Sequence, residues 1–324
     1  MSRRYVLITP CRDEAEYLGT TIDSVAGQSV LPAKWVIVDD GSTDDTPRIL
    51  AEAARRYPFI EILRREDRGQ RSVGPGVVDA FYAGCDAINL DEYDYLCKLD
   101  GDLDIPRTYF ERVMERFEAD AYLGTFSGKL YLRRGDDLVH ERCGDENSVG
   151  PAKFYRVGCF RDIGGFVRQV SWDGIDGHMC RLRGWIARSA DAEELRLIHL
   201  RRMGSSQKSF WTGRVRWGRG KYFMGSTLPY VLAVSLYRMS ERPFVISGIG
   251  ILVGFLKAAL AREPRFHDPA YLRFFRRFER STLLAGKRRT LQRFDDDVRS
   301  RFALPRERGA GRLSEEKRKL DRAA

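Results

Sequence analysis

The sequence predicts an α/β protein in which a mostly parallel sheet is flanked by helices and followed by a helical, partly apolar and basic C-terminal extension. Three observations support this fold class. Short apolar runs alternate with helical patterns through the first hundred residues, several of those runs end in acidic loops, and the composition changes after about residue 225. Alternation of strands and helices is typical of doubly wound sheets.

The first four strands are short apolar segments, and each of the first three precedes a helical pattern. The strands are predicted at residues 4–10, 35–38, 59–63 and 93–97. A helix over residues 13–28 follows from the helical spacing of its apolar residues. Thr46 and Pro47 open the second helix with a capping hydroxyl and a proline at its first position. A third helix is predicted over 77–89, after a loop rich in glycine and arginine.

The pattern changes after residue 105. We predict a helix at 108–118, a strand at 126–133, a polar loop at 134–150, a strand at 154–160 and a tight turn at 162–166. Two apolar stretches follow, at 228–237 and 244–256. The second has 13 uncharged residues, fewer than the roughly 20 that span a bilayer. With basic residues beside it, this stretch favours contact with a membrane interface, and a buried core helix or a true membrane span are the alternatives.

The excess positive charge lies near the C-terminus. The formal net charge of the chain is +10, and residues 261–324 alone hold 19 Lys and Arg against 10 Asp and Glu. Such a segment fits an anionic surface, either lipid or nucleic acid, or is a solvated basic tail. Six cysteines without paired spacing indicate reduced thiols, and no secretory signal is visible. We therefore expect a cytoplasmic protein, with peripheral attachment to the cytoplasmic face of the membrane.

Three acidic loops follow predicted parallel strands. They contain Arg12-Asp13-Glu14, Asp39-Asp40-Gly41-Ser42 and Asp100-Gly101-Asp102. Because parallel strands end at one edge of a sheet, these loops should converge on one crevice. Carboxylates there suit the N–H and O–H donors of a base and a ribose, together with Mg²⁺ or Mn²⁺, and such a cation neutralises a diphosphate. A nucleoside diphosphate with a metal is the ligand that this chemistry predicts.

The same loops carry a resemblance to a known family. LITPCRDEAEYLGTTIDSVAGQS, VIVDDGSTDDT and KLDGDLDIP resemble the first strand and helix, the nucleotide signature and the DxD segment of family 2 glycosyltransferases. The resemblance covers about residues 4–200 and implies a GT-A fold. It also implies inverting transfer of a sugar from a nucleoside-diphosphate sugar to an acceptor hydroxyl.

The resemblance also implies roles for individual residues. The positions that match the family's contacts to the nucleotide sugar are Pro10, Arg12, Glu14, Asp39, Asp40, Arg71, Asp100, Gly101 and Asp102. Among these, Asp40 matches the carboxylate that reads the base, and Asp100 lies near the ribose. Asp102 matches the acid that contacts the metal, and His199 is a candidate for the metal or the diphosphate, with a structural role as its alternative.

The catalytic base is expected just before a helix, and two carboxylates compete for the role. Asp173 lies 11 residues before Gly184, close to the spacing usual in the family, whereas Asp176 lies nearer Arg181. Trp172 replaces the acid that usually precedes this position. One base without a second nucleophile fits a single inverting displacement.

The expected organisation is a catalytic domain at 1–225, with a nucleotide-sugar half at about 1–105 and an acceptor half at about 106–225, and an extension at 226–324. The segment 205–221 is expected to form a lid or a phosphate clamp. The acceptor would be a glycan, a lipid-linked glycan or a small molecule, in the synthesis of a cell-surface glycan, polysaccharide or glycolipid. No nucleic acid is expected as a partner, and the oligomeric state stays open.

Other function classes fit less well. A nucleotidyltransferase would need a basic, glycine-rich loop after the first strand, where Cys11-Arg12-Asp13-Glu14-Ala15 stands. A phosphatase with Asp100 as nucleophile would need a Thr or Val where Asp104 stands. A non-enzymatic protein that binds an anionic surface or nucleic acid would rest on the basic tail alone.

Overall fold

The computed structural model describes residues 3–69, 74–141, 143–201, 210–240 and 244–303. Its centre is a seven-stranded sheet with the order β10-β6-β9-β4-β1-β2-β3. The four strands of the first half are β1 (Tyr5–Cys11), β2 (Lys34–Asp39), β3 (Ile60–Arg64) and β4 (Tyr95–Leu99). These four strands pair in parallel. Strands β1, β2 and β4 are almost wholly buried, as expected for strands covered on both faces.

Helices cover both faces of this sheet. One core packs α1 (Ala15–Ala26), α2 (Thr46–Arg56) and α4 (Tyr109–Ala119) against the sheet. The opposite core contains residues of α3 (Pro75–Asp86), α5 (Val157–Asp162) and α6 (Trp172–Leu182). The predicted doubly wound, mostly parallel sheet is therefore confirmed.

Strand β9 (Ala152–Arg156) is antiparallel to both of its neighbours, β4 and β6 (Leu123–Ser127). Its register places Lys153 opposite Lys98 on β4. Strand β10 (Ile186–Ser189) then extends the sheet in parallel with β6. The antiparallel strand connects the first half of the chain to the second at the centre of the sheet.

Three element predictions in this region were wrong. The segment predicted as one strand at 126–133 forms β6 and β7 (Lys129–Arg134). Gly128 separates them, since a Cβ there would lie 1.7 Å from the Leu195 carbonyl oxygen. The polar loop at 134–150 contains β8 (Asp137–His140), and the strand at 154–160 ends at Arg156, where α5 begins. Apolar residues on the buried face of a short helix give the same local pattern as a buried strand.

A second sheet of four strands has the order β5-β11-β7-β8. Strand β5 (Leu103–Asp104) directly follows the third acidic loop and pairs with β11 (Arg196–His199), so that Leu103 lies opposite His199. This pairing carries a residue from the end of the second half to the acidic loop of the first.

In the described residues after β11 there are five helices: α7 (Phe210–Phe223), α8 (Leu228–Met239), α9 (Ile246–Leu260), α10 (Pro269–Ala285) and α11 (Lys287–Arg301). Helix α9 packs against α7 and α8. Glycines allow a close approach, because a Cβ at Gly254 would lie 2.0 Å from the Val215 carbonyl oxygen. Within the described ranges, every helix is too short or too polar to cross a bilayer.

The last helix is anchored to the sheet region by polar contacts. Arg181 on α6 donates from Nε to Asp295 Oδ1 on α11 over 3.1 Å. Arg299 forms an ion pair of 2.6 Å with Asp120. These two contacts therefore hold α11 against α6 and against the C-terminal end of α4.

Candidate active site

The second acidic loop is held by arginines and by its own turn. Asp40 is buried, and its Oδ1 accepts a hydrogen bond from Arg65 over 2.8 Å while Arg68 contacts Oδ2. Asp39 accepts from the Ser42 backbone N–H over 2.9 Å. Asp39 therefore shapes the turn, whereas the buried carboxylate of Asp40 lies between two arginine side chains.

The backbone conformation of this turn and the close approach of Asp67 require glycine at position 41. Its φ is +76°, and a Cβ there would lie 2.5 Å from the Asp67 Cα. Side chains other than glycine are strained at such a φ. The close approach of residue 67 lets Asp67 accept from Arg12 Nη2 over 2.6 Å.

The first acidic loop joins the second through Arg12, whose Nη1 donates to the Asp40 carbonyl over 2.9 Å. Pro10 lies opposite Val38 in the β1–β2 pairing, at the same edge of the sheet. Glu14 is buried, and its Oε1 accepts from Arg201 Nη2 over 2.7 Å. The structure thus places Pro10 and Arg12 beside the second acidic loop. It places Glu14 beside Arg201, which lies two residues after the end of β11.

The third acidic loop contains two carboxylates with different surroundings. Asp100 is partly exposed and contacts Lys98 Nζ. Asp102 is 2% exposed, and its Oδ2 lies 2.7 Å from Arg201 Nε and 3.4 Å from His199 Nε2. Asp102 Oδ1 is buried without a hydrogen-bond partner in the described part of the chain. Gly101 lies between them and approaches Leu18, since a Cβ there would be 3.3 Å from Leu18 Cδ1.

The surroundings shift the pKa values of these two acids in opposite directions. Burial raises the pKa of Asp100, although Lys98 acts against this effect. Burial also acts to raise the pKa of Asp102, but hydrogen bonding and charge from His199 and the charge of Arg201 outweigh it and lower the pKa. Asp102 is therefore the carboxylate held in its ionised form.

His199 lies between two carboxylates. Its Nδ1 lies 2.6 Å from Glu141 Oε2, and its Nε2 faces Asp102. Burial lowers the pKa of His199, but the hydrogen bonds and charges of Asp102 and Glu141 raise it to about 9. Without another cation at this position, His199 is thus an imidazolium at neutral pH.

The two candidates for the base differ in their contacts. Asp176 is 2% exposed and accepts from Lys153 Nζ over 2.6 Å at Oδ1 and 2.5 Å at Oδ2, and it also accepts from the Tyr155 hydroxyl. Asp173 is partly exposed at the start of α6. In the part of the chain that the structure describes, its carboxylate makes no hydrogen bond or ion pair. The carboxylate of Asp176 is therefore occupied by the buried ammonium group of Lys153 and by Tyr155, whereas the carboxylate of Asp173 is accessible to solvent.

Asp173 lies near the third acidic loop. A Cβ on Gly150 would be 3.0 Å from Asp173 Oδ2, and the Gly150 carbonyl accepts from Lys98 Nζ over 3.1 Å. Lys98 in turn contacts Asp100. The start of α6 is therefore linked to the end of β4 through the backbone at Gly150 and the side chain of Lys98.

Trp172 occupies the space between two lysines. The Lys98 ammonium lies 5.5 Å from the centre of its ring, and the Lys153 ammonium lies 5.6 Å from it. These lysines are opposite one another in the β4–β9 pairing. The electron-rich face of an indole attracts cations, so Trp172 contacts the cations that hold Asp100 and Asp176.

Several side chains that the sequence analysis did not select contribute to this site, among them Glu141, Lys153 and Arg216. Arg216 on α7 has a buried Nη1 without a hydrogen-bond partner among the described residues, and burial lowers its pKa while the charge of Asp173 acts to raise it. The position of Lys153 within the apolar run of β9 is the sequence signal that could have indicated its buried carboxylate partner, because a lysine is seldom buried without one.

Some predicted site residues lie outside the described residues. These are Arg71 and the first part of the segment 205–221. The structure describes the rest of that segment as α7 from Phe210 onward. Among the described residues, no group of three or more His, Cys, Asp and Glu side chains is arranged to hold a metal ion.

Comparison with known proteins gives a family match over part of the chain. Residues 6–137 match the family model "Glycosyl transferase family 2". A poly-β-1,6-N-acetyl-D-glucosamine synthase from Staphylococcus aureus (strain COL) is 24% identical over 130 residues, which are 40% of this chain and 29% of that protein. An uncharacterized protein from Mycobacterium bovis is 43% identical over 60 residues, 18% of this chain and 17% of its own length. The matches span less than a third of these relatives.

Solved structures agree in fold. The structure of GalNAc-T7 with UDP, GalNAc and Mn²⁺ has a TM-score of 0.57 at 12% identity, covering 93% of this chain and 58% of that one. The structure of S. aureus TarS 1-349 with UDP-GlcNAc has a TM-score of 0.50 at 13% identity, covering 92% of each chain. The predicted GT-A fold is confirmed, and the match to the predicted family covers residues 6–137.

Proposed function

We propose, because this chain carries a glycosyl transferase family 2 domain with the GT-A fold, that it moves a sugar from a nucleoside-diphosphate sugar to an acceptor hydroxyl. The reaction is a single displacement with inversion. A role in the synthesis of a polysaccharide or another cell-surface glycan is supported by the name of the S. aureus synthase. The UDP-GlcNAc in the TarS structure makes that sugar nucleotide the first donor to test.

The donor half uses the acidic loops for the nucleoside. Asp40 accepts an N–H of the base, since each carboxylate oxygen can accept a further hydrogen bond beside those from Arg65 and Arg68. Asp39 holds the turn that presents Asp40, and Asp100 accepts from a ribose hydroxyl. Arg12, which ties both loops together, fixes the edge of this site.

Asp102 and His199 would together hold a divalent cation, Mg²⁺ or Mn²⁺, with His199 giving up its proton as the cation binds. The fit rests on the buried Asp102 Oδ1, which lacks a partner among the described residues, and on the imidazole nitrogen that faces the same carboxylate. The presence of Mn²⁺ in the GalNAc-T7 structure supports a metal of this kind. When bound, such a cation neutralises charge on the diphosphate. Arg201, next to Asp102, adds a positive charge at the same position.

Asp173 is the base in this proposal. As the acceptor oxygen attacks the anomeric carbon, the proton of the acceptor hydroxyl passes to Asp173, and a new glycosidic bond forms. The bond between the sugar and the diphosphate breaks, and the diphosphate leaves with the electron pair. Asp176 instead anchors α6 through Lys153. The observation that carries this proposal is that Asp173, whose carboxylate has no partner among the described residues, lies close to the acidic loop after β4, with Gly150 and Lys98 between them.

The domain boundaries stay a prediction. We propose that residues 1–225 act in catalysis, with donor and acceptor halves that meet near residue 105, and that 226–324 supports them. The contacts of Arg181 with Asp295 and of Arg299 with Asp120 favour a supporting role for α11.

The first test is the thermal stability of the purified protein with nucleoside diphosphates and their sugars, with and without Mn²⁺. We expect a metal-dependent rise in melting temperature with one nucleotide. Asp102→Asn should abolish this rise, whereas Asp104→Asn, which changes a neighbouring carboxylate outside the site, should retain it. No rise with any nucleotide would contradict the proposed donor site.

The second test separates the base from the donor site. With the donor identified, Asp173→Asn should retain the nucleotide-dependent rise in melting temperature and lose transfer to acceptors by several hundredfold or more, on the order expected for the loss of a general base. Transfer at the wild-type rate by Asp173→Asn would refute the assignment of the base while leaving the donor site intact.

A further inference from the structure

Helices α8 and α9 expose an unusual number of large apolar side chains. On α8 they are Leu228, Leu232 and Leu236, spaced four residues apart. On α9 they are Ile249, Leu256 and Leu260, which also share one side of the helix. These six residues are called the apolar surface below. Leu236 is 67% exposed and Leu260 is 84% exposed.

The connection between the two helices also exposes large apolar side chains. Phe244 and Val245, the first described residues before α9, are both exposed. A large exposed apolar patch on a soluble monomer is often a binding site, and these two neighbouring helices expose several of the largest apolar side chains of the described residues. The stretch therefore calls for an explanation beyond the packing of the monomer.

The buried sides of the same helices already account for their packing. Val231 on α8 and Ile251 and Phe255 on α9 are buried in a small core with Tyr222 of α7. Gly248 and Gly254 bring the backbones together, since a Cβ at Gly248 would lie 2.2 Å from the Ser235 carbonyl oxygen. Because the buried sides hold the three helices together, the exposed leucines are not needed for that packing.

The charges beside the apolar surface are positive. Lys257 and Arg262 are exposed next to Leu256 and Leu260. The sequences of α8 and α9 contain no Asp or Glu. The acid closest in sequence after α9, Glu263, is paired with Arg219 over 2.7 Å. A surface of large aliphatic side chains bordered by cations that have no acidic partner among the described residues complements a layer of apolar chains beneath anionic headgroups.

We propose that the apolar surface of α8 and α9 docks this protein on a membrane that contains anionic lipids. The two helices lie on the bilayer with their leucines below the headgroups, while Lys257 and Arg262 remain at headgroup level. This attachment would place a lipid-linked acceptor close to the catalytic half, but the docking itself does not depend on the proposed reaction.

The test is flotation of the full chain with vesicles of phosphatidylcholine, with and without phosphatidylglycerol. We expect the protein to float with the anionic vesicles and to dissociate as salt is raised, because screening weakens the contact with headgroups. Leu236→Glu with Leu260→Glu should weaken binding by at least about tenfold.

Matched controls come from α10 and α11. Leu284 on α10 is 82% exposed, so Leu284→Glu makes the same change at equal exposure outside the apolar surface and should leave flotation unchanged. Lys257→Gln with Arg262→Gln should reduce the preference for anionic vesicles, whereas Arg288→Gln with Arg289→Gln, which removes two exposed charges of α11, should reduce it less.

The melting temperature of each variant shows whether it is folded. Equal flotation of wild type and the Leu236→Glu, Leu260→Glu variant would overturn the proposal. So would the absence of flotation together with a concentration-dependent dimer in sedimentation that the same variant disrupts, since the surface would then be an interface between copies of this chain.

Discussion

Replacing Asp176 by Asn should destabilise the protein strongly, although the side chain keeps its shape. Lys153 is fully buried and donates to both carboxylate oxygens of Asp176 over 2.6 and 2.5 Å. Removing one charge of a buried pair leaves the other without compensation, which costs about 3–5 kcal/mol. Because the Asn oxygen can still accept from Lys153 or Tyr155, we expect the lower end, about 3 kcal/mol.

The free energy of unfolding, measured by urea titration with linear extrapolation, checks this value. The matched variant is Asp173→Asn, three residues earlier on the same helix and partly exposed. It should change the free energy of unfolding by less than about 0.5 kcal/mol. The double variant Lys153→Met, Asp176→Leu should recover much of the stability, because it removes both buried charges together.

A particular pair of results would refute this reasoning. If Asp176→Asn lost less than about 1 kcal/mol and abolished transfer while Asp173→Asn transferred normally, Asp176 would be the base and its contact with Lys153 would be secondary. If both variants were equally destabilised, the accessible position of Asp173 would be wrong.

Three further predictions concern pH and packing. The pKa of His199, raised to about 9, means that its charge stabilises the fold fully below about pH 6.5 and that this contribution is lost as the pH rises through 9. Between pH 6.5 and 9.5 the free energy of unfolding of the wild type should fall by about 2–3 kcal/mol from this cause, as measured by urea titration. His199→Gln should lack this part of the fall. Gly254→Ala should cost about 1–3 kcal/mol, because its Cβ would lie 2.0 Å from the Val215 carbonyl. Gly213→Ala, with nothing within 4 Å, should instead stabilise α7 by up to about 1 kcal/mol in the same titration.

The sheet and its acidic edge could be predicted because their signals are local. Each of the first strands is a short apolar run followed by a helical pattern, and the ends of parallel strands share an edge. Asp40 and Asp102 were therefore expected near one another before any contact was known. The residues that hold them, Arg65 and Arg201, lie outside the three acidic loops, and the choice among many arginines depends on tertiary distances.

The second half was harder to predict. Strand β8 (Asp137–His140) is exposed and polar, so its sequence has the composition of a loop. The separation of β6 from β7 depends on the approach of Leu195 to Gly128, which comes from far along the chain. The choice between Asp173 and Asp176 likewise depends on Lys153, whose partner no sequence spacing reveals.

The indole of Trp172 has a consequence for the behaviour of this protein across pH. A carboxylate in this position would take up a proton in acid and would then release the two ammonium groups of Lys98 and Lys153. The indole takes up no proton in acid while the protein stays folded, so acid does not remove its attraction for the two ammonium groups. The side chain between the end of β4 and the start of α6 is therefore one that does not ionise. As the pH falls, Asp100 or Asp176 should take up a proton and lose its ion pair with lysine before β4 and α6 separate.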